Sequence, residues 1–184
     1  MRLFTGIGIP YKVRRNLELL LAHLQPTAAI RWSPPENLHV TTKFIGEWPE
    51  EKLDQLKDQL RKVPPPGKID ISIAGLGWFP NPHSPRIFWC GIQAPEALPA
   101  LARDTDATLV GIGVPKEPKP YSPHLTLARI AENGNLFPLK QAISQLPSVD
   151  FGRFRAEAFH LYLSKTGPKG SVYSVLDSYP LGNE

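Results

Sequence analysis

Two strand-like runs 85 residues apart carry the same pattern: His39-Val40-Thr41-Thr42 and His124-Leu125-Thr126-Leu127. Successive side chains of a strand point to opposite faces, so each histidine shares a face with its threonine. Val40, Leu125 and Leu127 then turn to the other face, where burial favours them. Each run therefore requires a sheet that is apolar on one side and carries an imidazole and a hydroxyl on the other. Set side by side, the two strands make a cleft with paired histidines backed by paired threonines. Acid–base chemistry on a phosphate ester uses such a set: one imidazole to take a proton, one to give it, and hydroxyl donors for the phosphoryl oxygens.

The flanking patterns supply the rest of a mixed fold. A strand over Arg2–Ile9 leads into a helix at Tyr11–Leu24, with Val13, Leu17, Leu20, Leu21 and Leu24 on one stripe. A strand region over Ile30–Gly46 holds the first motif. A helix over Pro49–Val63 follows, with acidic residues in its first turn and Arg61 and Lys62 in its last, as the helix dipole favours. Strands over Lys68–Phe79 and Arg86–Gln93 come next, then a helix over Pro95–Val110. The second motif strand spans Pro123–Ala131, and a helix spans Pro138–Leu146. A closing hairpin of Arg153–Ser164 and Ser171–Tyr179 turns at Gly167-Pro168-Lys169-Gly170. This order, β-α-β-α-β-β-α-β-α-β-β, lacks the sustained alternation of a doubly wound sheet. The expected class is α+β: two mainly antiparallel sheets with helices outside, related by a pseudo-two-fold across a central cleft. The 184 residues are read as a single domain of two interleaved lobes, one motif from each.

Composition narrows the setting. At 41% hydrophobic and 21% charged residues, the chain is ordinary globular protein rather than disordered. The apolar run Leu3–Ile9 is too short for a membrane span and lacks a cleavage site, so a cytoplasmic protein without a membrane partner is expected. Cys90, the single cysteine, reads as core filler. A net charge of +4 suits a polyanionic ligand without amounting to a basic nucleic-acid arm. The 21 prolines, about twice the usual share of ~5%, gather in connections and read as stiff loops.

In their longer contexts the motifs resemble the 2H phosphoesterase superfamily, and within it the RNA 2′,3′-cyclic phosphodiesterase family historically called 2′-5′ RNA ligase. The likeness runs from Met1-Arg2-Leu3-Phe4 through Leu38–Glu47 and Pro120–Arg129 to Leu161-Tyr162-Leu163-Ser164 and Tyr173-Ser174-Val175-Leu176. It implies metal-free, cofactor-free hydrolysis of an RNA terminal 2′,3′-cyclic phosphate to a 2′-phosphate, with 2′-5′ ligation as an accompanying activity. The implied partner is RNA bearing that end, or a related nucleotide, bound by a monomer. The resemblance makes His39 the proton donor and His124 the proton acceptor; the sequence alone does not order them. It also places a phosphate-binding arginine at Arg129. Alternative readings are a 2H enzyme acting on a small cyclic nucleotide and a non-catalytic module that binds RNA ends.

Thr41 and Thr126 can donate hydroxyl hydrogen bonds to non-bridging phosphoryl oxygens. Arg129 follows His124 by five residues, so strict alternation turns it away from the cleft; its phosphate role requires the strand to end, twist or bulge after Thr126. Lys43 falls on the His39 face by parity and is a secondary phosphate candidate. His23, His83 and His160 read as surface or packing residues. Zinc is disfavoured, since the motif histidines have threonine rather than carboxylate companions. Gly6-Ile7-Gly8, Gly75-Leu76-Gly77 and Gly111-Ile112-Gly113 lack the rest of any phosphate-loop fingerprint and read as turn glycines. Phe4, Trp32, Trp78, Phe79 and Tyr121 are candidates to stack on a base.

Overall fold

A computed structural model of the chain describes residues 1–131 and 134–183. The described residues form nine strands and four α-helices. The strands are β1 (Arg2–Gly8), β2 (Arg31–Trp32), β3 (His39–Glu47), β4 (Ile69–Phe79), β5 (Ile87–Gln93), β6 (His124–Arg129), β7 (Asp150–Ala156), β8 (Ala158–Gly167) and β9 (Gly170–Pro180). The helices are α1 (Tyr11–Leu24), α2 (Leu53–Leu60), α3 (Ala97–Val110) and α4 (Phe137–Ser144). The strands pair into two antiparallel sheets, ordered β3-β1-β8-β9 and β2-β6-β5-β4-β7.

Apolar stripes decide where the helices lie. The α1 stripe Val13, Leu17, Leu20, Leu21 and Leu24 is buried as its spacing predicts. No side chain caps its N-terminus at Pro10. A missing cap costs about 1 kcal/mol, whereas each buried leucine-sized side chain contributes roughly 1.5–3 kcal/mol. Packing therefore dominates. Helix α1 follows β1 of the four-stranded sheet yet packs on β7 of the other; α3 follows β5 of the five-stranded sheet yet packs on β3. The two sheets thus exchange helices, and each lobe is completed by the other half of the chain.

The pseudo-two-fold is visible in the pairing. The order β3-β1-β8-β9 matches β6-β5-β4-β7, with β2 added outside β6. His39 lies opposite Gly8, and His124 lies opposite Gly91. Thr41 lies opposite Gly6, and Thr126 opposite Trp89.

Three local expectations change in the folded chain. The run expected as one strand, Arg153–Ser164, is two: β7 ends at Ala156 in the five-stranded sheet, and β8 begins at Ala158 in the four-stranded one. Likewise Ile30–Gly46 divides into β2 and β3, one in each sheet, separated by the Pro34-Pro35 segment. Both differences share a cause: strand-like composition does not say which sheet offers the partner. Gly6, Gly8, Gly75 and Gly77 are strand glycines rather than turn glycines. A Cβ on Gly6 would stand 2.8 Å from the Val40 carbonyl oxygen and 3.4 Å from the His39 ring, so glycine is what lets that ring lie on the sheet.

Candidate active site

The two motif strands pack against one another, and His124 stands close enough to His39 for its charge to act on that ring. Both have the burial sequence half-buried, buried, half-buried, buried, buried, exposed, starting at the histidine. That doubled buried step breaks alternation, and pairing explains it. On β3, Thr41 pairs with Gly6 and Lys43 with Thr5, leaving Thr42 bulged out of the ladder. On β6, Thr126 pairs with Trp89 and Ala128 with Phe88, leaving Leu127 bulged. A β-bulge adds one residue and inverts the facing of everything beyond it. Arg129 is therefore returned to the face of His124 and Thr126, where it is exposed.

The same inversion moves Lys43 off the cleft face that parity gave it. Lys43 is buried, and its ammonium donates to the Pro115 carbonyl at 2.9 Å and pairs with Asp106 at 2.7 Å. Glu117 stands 3.6 Å away. The lysine thus ties β3 to α3 and to the proline-rich approach to β6. Burial works against ionisation of Asp106, but hydrogen bonds from Lys43 and the Glu117 N–H, with the charges of Lys43 and Lys116, hold its pKa below the ordinary value. Thr42, also buried, shares a hydrogen bond of 2.7 Å with Thr5 inside the core. Tyr121 makes a second tie between the motifs, donating its hydroxyl to the Thr41 carbonyl at 2.7 Å.

Both imidazoles are oriented in the same way. Nδ1 of His39 lies 2.6 Å from the carbonyl oxygen of Asn37, and Nδ1 of His124 lies 2.9 Å from that of Ser122, in each case two residues upstream. A carbonyl can only accept, so both rings carry a proton on Nδ1, and Nε2 is the nitrogen that changes protonation. Nε2 of His39 lies 2.8 Å from Oγ1 of Thr41. When the ring is neutral, Thr41 donates to it. When the ring is protonated the direction reverses, and the threonine hydroxyl proton is free for an anion.

The surroundings of the two rings differ. His39 is boxed by Phe4 at 4.6 Å, Tyr173 at 5.2 Å and Tyr162 at 5.8 Å between ring centroids. Burial in this box lowers the His39 pKa below 6.5; the Asn37 carbonyl opposes that shift and the charge of His124 adds to it. Burial likewise pushes the Tyr162 hydroxyl up to about 12. His124 has one aromatic neighbour among the described residues, Phe79, edge-on at 5.1 Å.

Most of the other residues singled out in the sequence lie away from the two rings. Trp32 and Trp78 pack on the buried Phe88, away from the cleft. Cys90 is buried, and burial pushes its thiol up to about 12. His23 and His83 are exposed on α1 and on the loop after β4. His160 is half-buried on β8, opposite Gly6 and bonded to Ser178 at 2.8 Å. Sequence reasoning misses Tyr162 and Tyr173, although alternation with the buried Leu161 and Leu163 marks Tyr162 as cleft-facing. It also misses Trp89, which lies across Gly77, where a Cβ would collide with its ring.

Two lobes, each presenting a His-x-Thr strand to a common cleft, define a two-histidine fold. The family model described as LigT-like phosphoesterase matches residues 7–89 and 92–173. An RNA 2′,3′-cyclic phosphodiesterase of Methanocaldococcus jannaschii is 34% identical over 179 residues, covering 97% of this chain and 100% of that one. Another of that name, from Thermus thermophilus, is 34% identical over 194 residues, covering 100% of this chain and 92% of that one. A crystal structure of a Thermus thermophilus protein superposes with a TM-score of 0.83 at 31% identity, covering all of both chains. The chain belongs to the LigT-like phosphoesterase family, as its motif contexts imply.

Proposed function

We propose that this chain hydrolyses the 2′,3′-cyclic phosphate at an RNA end to a 2′-phosphate by paired-histidine acid–base catalysis, without a metal. The carrying observation is the matched pair of imidazoles, each locked through Nδ1 to a carbonyl so that Nε2 serves the cleft. Water attacks phosphorus while the bond from phosphorus to O3′ breaks. His124 Nε2 accepts the water proton, and His39 Nε2 gives its proton to O3′. Thr41, Thr126 and Arg129 bind the non-bridging oxygens as negative charge grows on them. The names of the relatives support RNA as the substrate class. Chemistry argues against a pure binding role, because binding alone needs no matched proton donor and acceptor.

The test is incubation of a 2′,3′-cyclic-phosphate oligoribonucleotide with the protein in excess EDTA, followed by identification of the end formed. A 2′-phosphate is expected. A 3′-phosphate product would reverse the assigned leaving group, and loss of turnover restored by a divalent ion would replace the two-histidine mechanism with metal-assisted hydrolysis.

A further inference from the structure

Strand β2 contains only Arg31 and Trp32, yet it extends the five-stranded sheet beyond the motif strand β6. Its register sets Trp32 opposite Ala128 and Arg31 opposite Arg129. Directly opposed residues of an antiparallel pair share a face, and the inward partner identifies it: Ala128 is buried, and Trp32 packs on buried Phe88. Arg31 and Arg129 therefore stand together on the other face, the one that carries His124 and Thr126. Both are exposed, and neither forms an ion pair with a described carboxylate.

Like charges placed directly opposite one another destabilise a strand pair. Here the pairing is nevertheless held firmly. Beyond β2, the Ser33 N–H donates to the carbonyl of the bulged Leu127 at 2.8 Å, and the Ser33 hydroxyl donates to the Thr126 carbonyl at 2.9 Å. The segment that fixes the second motif threonine is thus the one that delivers a second guanidinium. An anion between the two forks would turn their repulsion into binding, since guanidinium groups match phosphate oxygens bidentately. Arg129 is two ladder positions from Thr126, measured as Trp89 to Ile87 on β5. Arg31 lies one strand further out, so it is displaced sideways from the row of His124, Thr126 and Arg129.

We propose that Arg31 forms, beside Arg129, a second phosphate subsite that holds the internucleotide phosphate adjoining the cyclic end, with Arg129 shared between this phosphate and the scissile one. This rests on the phosphodiesterase reading of the cleft and sharpens it: the favoured substrate is an oligoribonucleotide rather than a cyclic mononucleotide, which lacks that phosphate.

The test compares kcat/KM for a cyclic-phosphate oligoribonucleotide and a 2′,3′-cyclic mononucleotide in the wild type, Arg31→Ala and Arg31→Lys. The oligonucleotide-to-mononucleotide ratio is expected to fall roughly tenfold in Arg31→Ala, the low end for a hydrogen bond to a charged group, with most of the change in KM. Arg31→Lys recovers part of it. The salt dependence of oligonucleotide KM loses about 0.7 in log–log slope in Arg31→Ala, the value for one single-strand phosphate contact. An unchanged ratio overturns the proposal, and so does an equal loss on both substrates, which assigns Arg31 to the scissile phosphate or to the fold. If the wild type turns over neither substrate, the phosphodiesterase reading fails on its own. Fluorescence anisotropy with a 5′-labelled, 2′-phosphate-ended oligoribonucleotide then decides: weaker binding and a smaller salt slope in Arg31→Ala sustain the subsite, and identical binding removes it.

Discussion

Phe44 and Arg129 occupy the same place in the two lobes: each lies five residues after its motif histidine, beyond the same bulge, exposed on the cleft-side face. One is aromatic and carries the Arg2 guanidinium over its ring at 5.3 Å; the other is itself cationic. The lobes thus repeat a backbone device and fill it differently, and in the proposed mechanism the guanidinium that binds phosphate comes from the second lobe. Arg129→Ala is expected to cost about 1.5–3 kcal/mol of transition-state stabilisation in kcat/KM, and Arg129→Lys about half of that. Phe44→Ala should cost far less. Equal losses at the two positions would show that the bulge, not the guanidinium, is what matters.

His39→Ala and His124→Ala should each lower kcat by at least about 10²–10⁴-fold, the worth of a positioned acid or base. The double substitution should be much less than multiplicatively worse if the two rings act in one step, as proposed. Single-turnover rates with folded variants check this, and a near-normal rate in either single variant removes that ring from the chemistry.

The buried ring box around His39 makes a prediction about pH. Burial disfavours the charged imidazole, so in an NMR titration the free enzyme's His39 should have a midpoint below 6.5. In His124→Asn the midpoint should move up, since a like charge is removed. One limb of the kcat/KM profile must fall at the same pH as the His39 midpoint. Two limbs both above 6.5, or a midpoint indifferent to His124, would contradict the assignment.

Lys43 tests the join between the motifs. Its side chain is 3% exposed and that of Asp106 is 14% exposed, so Lys43→Met leaves a largely buried carboxylate without its cation. Denaturant unfolding should show a loss near the lower end of about 3–5 kcal/mol, because Asp106 retains the Glu117 N–H. Asp106→Leu in the same chain should restore most of it. The lowered pKa of Asp106 gives the sign with pH: this contribution is present above the unfolded carboxylate range near 3.9 and is lost as pH falls through the lower folded value. A Lys43→Met protein as stable as the wild type at about pH 7 would mean that water and the Glu117 N–H suffice to solvate the Asp106 carboxylate without the lysine.

Much of this protein is written in local periodicity. Alternation set His39 with Thr41 and His124 with Thr126, the 3.6-residue stripe placed all five buried residues of α1, and the glycines marked the last hairpin turn, where Gly167 pairs with Gly170. Those features depend on near neighbours in the chain, so a short window of residues suffices to read them. What tertiary structure decided is everything that depends on a partner. The bulges at Thr42 and Leu127 exist only against β1 and β5, and they send Lys43 inward and Arg129 outward against the parity of their own strands. The break at Glu157 exists because β7 and β8 find partners in different sheets. Arg31 meets Arg129 across 98 positions of sequence through the register of a two-residue strand. Side-chain facing has a period that composition reveals; register and partner choice are set by long-range pairing energies that no local pattern carries.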